Sequence, residues 1–132
     1  MKGIDTNILI RFLVGDDEVQ AKKVYTIFKK AELNKTELFV PLLVMVELIW
    51  VLESIYEITR TDILDAINEL LLMPILNFEH QSALQQFSIS GRGSKYDLSD
   101  LLIAHSAREQ GCESVITFDK KASKFDLFEL VQ

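Results

Sequence analysis

Along this chain of 132 residues, short extended stretches take turns with segments whose apolar residues recur at helical spacing. Residues 1–5 predict a short strand, and 7–14 a helix that stops at Gly15. An amphipathic helix is expected over 16–33, with Val19, Val24, Ile27, Phe28 and Ala31 near the spacing of one face. A strand follows at 36–40, and Pro41 suits the first turn of a helix over 42–56. That helix is apolar nearly all round, which predicts burial on every side. Thr59-Arg60-Thr61-Asp62 reads as a capped start for a helix running to Met73. Pro74 introduces a strand at 75–78, and 79–87 a further helix. The clearest loop is 88–96, rich in serine and glycine. A helix over 97–110 ends at Gly111, the usual place for a C-terminal glycine, and strands at 114–117 and 128–131 close the pattern. Strands alternating with helices predict an α/β fold, a single domain over 1–132 with a parallel sheet covered on both faces. In such folds, sites form beyond the carboxyl ends of the strands.

Composition narrows the class. Hydrophobic residues make up 48% and charged residues 26%, an ordinary globular balance. Cys112 is the one cysteine, so no internal disulfide and no zinc spacing arise, and a reducing cytoplasm is expected. Asp5 and Arg11 interrupt any apolar leader. The longest apolar stretch, 38–52, contains Pro41 and Glu47 and falls short of the ~20 residues that span a bilayer, so no membrane segment is expected. A net charge of −6 argues against a protein that coats nucleic acid, but not against a nuclease whose acids gather around a metal. His80 and His105 stand apart without zinc spacing, and the loop 91–95 lacks the order of a phosphate-binding loop.

Acids at strand ends draw the eye. Asp5 follows the first strand and Asp119 the strand that ends at Thr117; each reads either as a cap or turn residue or as a ligand. Asp97 and Asp100 open a helix with the spacing of a capping box, which accounts for Asp97 better than for Asp100. Ala104 and Ala107 continue the Asp100 face with small side chains, leaving room beside that carboxylate. Glu47 sits in wholly apolar text, where a buried carboxylate is costly without a cation. If the sheet gathers these acids at one edge, they imply a hard, oxygen-loving divalent ion. An acidic pocket holding Mg²⁺ or Mn²⁺ suits in-line attack on a phosphodiester.

The segments 4–9 and 13–17, with Val46-Glu47-Leu48, Asp97-Leu98-Ser99-Asp100 and 115–121, resemble in order and spacing the four motifs of the PIN-domain family, and more narrowly its VapC-type toxins. That resemblance implies a three-layer α/β/α fold around a central parallel sheet, with Asp5, Glu47, Asp100 and Asp119 as metal-holding catalytic acids. It implies Mg²⁺ or Mn²⁺ as cofactor and hydrolysis of RNA to 5′-phosphate and 3′-hydroxyl ends. Thr6 and Thr117 would support the site through their hydroxyls, and Asp97 would be an auxiliary acid or simply a cap. As partners it implies RNA, a cognate antitoxin and a second copy of the chain. The chain's mean hydropathy of +0.17 and the apolar run 42–52 agree with a protein-binding surface. Two other readings stand beside it: a catalytically silent protein-binding scaffold, or a housekeeping RNA-processing nuclease. Arg11, Arg92, Lys95, Lys120 and Lys121 are the candidate contacts to an RNA backbone.

Overall fold

A computed structural model describes residues 1–132, which fall into two compact units, Met1–Glu79 and His80–Gln132. In the first unit the strands are β1 (Lys2–Gly3), β2 (Leu38–Val40) and β3 (Leu76–Phe78), and the helices are α1 (Thr6–Leu13), α2 (Glu18–Asn34), α3 (Leu42–Ser54) and α4 (Arg60–Leu71). The strands lie side by side in the order β1-β2-β3, all parallel, with Lys2 opposite Leu38 and Leu38 opposite Leu76. The second unit contains α5 (Gln81–Gly91), α6 (Leu98–Glu109), β4 (Val115–Thr117), a 3-10 turn (Ala122–Lys124) and β5 (Phe128–Leu130), with β4 and β5 parallel. The α/β class with parallel strands expected from the alternation is what the chain forms.

Local chemistry explains most boundaries. Gly15 adopts φ +66 just after α1, a conformation in which a side chain would be strained, so the helix stops there. Thr59 accepts the Asp62 N–H at 3.3 Å to open α4. Gly111, at φ +94, follows the last residues of α6. The start of α3 is different. Pro41 occupies its N-cap without a side-chain acceptor, and the carboxylate of Glu79 takes the Leu42 N–H instead, at 2.8 Å. No helix is long and apolar enough to cross a membrane.

Three expectations change. Along α2 only Val24, Phe28 and Ala31 are buried, whereas Val19 and Ile27 are exposed. The inner stripe is narrow, and Ile27 lies about 60° around the helix from Val24 and about 100° from Phe28 at 3.6 residues per turn. Helix α3 is not buried all round. Met45, Leu48, Ile49 and Leu52 form its inner face at positions i, i+3, i+4 and i+7, while Leu43, Val46, Glu47 and Trp50 lie on exposed positions. Glu47 is therefore solvated, and the expectation that burial forces a cation on it does not hold. Finally, the first part of the expected loop at 88–96 is helical. Ser88 and Gly91 are buried, and their small size suits the close packing of α5 on α6.

Candidate active site

In the first unit, Asp5 occupies the N-cap of α1 just beyond the end of β1, but its carboxylate makes no capping bond and stays exposed. The capping reading therefore does not account for it. Thr6, the first residue of α1, is buried at 6% exposure. Glu47 projects from the exposed side of α3, a helix that packs on α1. Arg11, a candidate RNA contact by sequence, is committed inside this unit. Its guanidinium donates to Asp16 at 3.0 Å and to Gln20 at 2.6 Å, and Tyr56 donates to the other Asp16 oxygen at 2.8 Å. Those bonds tie α1 and the segment just after α3 to the start of α2.

The second unit places three of the acids at the start of α6 and just after β4, where the charges of Asp97 and Asp119 both act on Asp100. Asp97 is a true cap: its Oδ1 accepts the Ser99 N–H at 2.9 Å. Asp119 organises the turn after β4. Its Oδ1 accepts the N–H groups of Lys121 at 2.8 Å and Ala122 at 3.1 Å, while the Asp119 N–H donates to the Thr117 hydroxyl at 3.0 Å. The Thr117 hydroxyl thus holds the backbone of the turn that carries Asp119. Asp100 sits half-buried in the first turn of α6 without the reach-back bond of a capping box. Partial burial raises its pKa above the usual carboxyl value, and the negative charges of Asp97 and Asp119 raise it further, against the opposing pull of Lys121. A carboxyl so placed gains from any cation that arrives.

The donor set fits a hard divalent ion, since every acid offers only oxygen. Within each unit, no three histidine, cysteine, aspartate or glutamate side chains already form a cage around such an ion. Asp5 and Glu47 belong to the first unit, and Asp97, Asp100 and Asp119 to the second. A cavity of about 720 Å³ in the first unit, walled by Phe12, Tyr25, Phe28, Met73 and Pro74, includes none of these acids.

Three rings and a serine hydroxyl also meet along α6 in the second unit. His105, buried in α6, meets the Ser90 hydroxyl with Nε2 at 2.7 Å, and burial holds its pKa below the ordinary histidine value. Phe125, at the end of the 3-10 turn, lies 5.2 Å from the Tyr96 ring and 6.0 Å from the His105 ring. Phe125 stands six residues beyond the strand-end acid Asp119, too far for any local spacing rule to single it out. His80, the other histidine, approaches Glu109 at 3.4 Å and takes no part at the acids.

Comparison with known proteins adds two findings. The PIN domain family profile matches residues 3–127. A VapC ribonuclease of Aquifex aeolicus (strain VF5) is 27% identical over 124 residues, covering 94% of this chain and 91% of the relative.

Proposed function

The chain belongs to the PIN-domain family, and from that premise we propose that it is a Mg²⁺- or Mn²⁺-dependent endoribonuclease, the toxin of a toxin–antitoxin pair. The family match runs through both compact units, which supports reading 1–132 as one PIN domain. The similarity to a VapC ribonuclease supports RNA as the substrate and a cognate antitoxin as the inhibitor.

One observation carries the chemistry. Asp100 is a half-buried carboxylate without a hydrogen bond, next to the charges of Asp97 and Asp119. A capped or salt-bridged acid would have no such need of a cation. Asp5, Glu47, Asp100 and Asp119 would hold the metal, which supplies Lewis acidity toward a phosphate oxygen and an attacking water. The chain's own contribution is placement. Asp119 is held by two backbone N–H groups on one oxygen, which leaves the other oxygen to face a ligand. Thr117 fixes the backbone of that turn. Asp97 serves as the cap of α6, and its negative charge adds to the field at Asp100. Lys95, Lys120 and Lys121 are exposed cations suited to the phosphates of RNA, and Arg11 is not among them.

An antitoxin that inserts a lysine or arginine among the acids would compete with both metal and RNA. The exposed apolar side chains of α3 support a homodimer. The test of the activity is digestion of a synthetic RNA by the purified chain in Mg²⁺, with EDTA as the control and the product ends identified. Metal-dependent cuts that leave 5′-phosphates support the reading. Intact RNA in Mg²⁺ and in Mn²⁺ would favour the silent scaffold.

A further inference from the structure

We propose that Phe125 is a positioning residue: held between Tyr96 and His105, its ring fixes the turn that carries Asp119 against the helix start that carries Asp100. The inference rests on the metal-site reading above and adds a residue to it.

Each link lies within the second unit. From Asp119 to Phe125 the chain is closed by successive short bonds. Asp119 accepts from Lys121 and Ala122 through its side chain and from Ser123 through its carbonyl at 3.0 Å. The Ser123 hydroxyl donates to the Lys120 carbonyl at 2.7 Å, and the Phe125 N–H to the Ala122 carbonyl at 3.0 Å. The segment therefore moves as one piece, and whatever anchors Phe125 anchors Asp119.

Two rings provide the anchor, both tied to α6. Tyr96, 5.2 Å from Phe125, directly precedes the cap residue Asp97, and its N–H donates to the Ser94 hydroxyl at 3.1 Å. His105, 6.0 Å from Phe125, lies on α6 itself and is fixed to α5 through Ser90. Aromatic pairs at such separations attract beyond the area they bury, and they resist sliding. Groups that orient metal ligands from behind commonly alter metal affinity by about 10–100-fold when removed.

The test is the dissociation constant for Mn²⁺, measured by calorimetry on the full chain. Phe125→Ala should weaken binding by about tenfold or more, with a cooperative melt retained, and Phe125→Tyr, which keeps a ring, should restore it. Phe87→Leu, in the core of the same unit and outside the three rings, should lower stability while leaving Mn²⁺ affinity unchanged. If Phe125→Ala does not fold, Phe125→Leu carries the same comparison. Wild-type affinity in a folded Phe125 variant overturns the inference while leaving the metal site standing. Equal weakening by Phe87→Leu also overturns it, since general loosening would then be the cause. A wild-type chain that binds no Mn²⁺ overturns the metal-site reading and this inference together.

Discussion

Glu79 accepts the backbone N–H of Leu42 at 2.8 Å and so caps a helix 37 residues away in sequence. Pro41 fixes the entry to α3 but offers no acceptor of its own, and a carboxylate at a helix N-terminus also meets the positive end of the helix dipole. Glu79→Ala should therefore cost about 1 kcal/mol, the usual worth of a lost cap. Glu79→Gln, which keeps an acceptor oxygen, should cost less. Urea denaturation of the three proteins checks this, and equal midpoints for wild type and Glu79→Ala would contradict it.

Asp100 gives a pH dependence with a definite sign. Its pKa is raised in the folded chain, so the native state holds this proton more tightly than the unfolded state. The stabilising contribution of the protonated form is then present at low pH and lost as pH rises through the raised value. At neutral pH, Asp100→Asn should melt higher than the wild type when both are metal-free. The difference should vanish below the ordinary carboxyl value of 3.8, where both states are protonated. Millimolar Mn²⁺ should raise the wild-type melting temperature and leave that of Asp100→Asn nearly unchanged. Thermal scans across pH, with and without metal, read all of this.

The sequence made some of this legible, and particular residues show where it stopped. Capping residues were readable because their rules are local: Thr59, Asp97, Gly15 and Gly111 mark the ends that their chemistry predicts. The acids at strand ends were readable for the same reason. The orientation of α3 was not, because a run with almost no polar residue has no period to say which face turns inward. Glu47 was consequently expected inside and stands outside. Serine and glycine signal a loop after 87, yet Ser88 and Gly91 are buried in α5. The place of Phe125 depends on rings from Tyr96 and His105 meeting in space, which no spacing rule encodes.

Helix α3 leaves an apolar stripe in water, with Leu43 80% and Trp50 57% exposed and Val46 between them. These positions share one side of the helix at i, i+3 and i+7, a surface suited to a second copy of the chain. Light scattering should give twice the 15.1 kDa chain mass for the wild type, and Leu43→Asp with Trp50→Asp should return it to a single chain. A wild-type chain that remains monomeric at high concentration would rule out the homodimer.

On the proposed function, Asp100 serves metal-dependent RNA cleavage rather than the fold. Asp100→Asn keeps the shape of the side chain and removes the charge that would hold the metal. The most direct measurement is the single-turnover rate of RNA cleavage in Mg²⁺ for wild type and Asp100→Asn, with circular dichroism run on the same samples. A cleaving wild type and a folded variant whose rate falls to background are expected. Cleavage by folded Asp100→Asn at the wild-type rate would contradict that role.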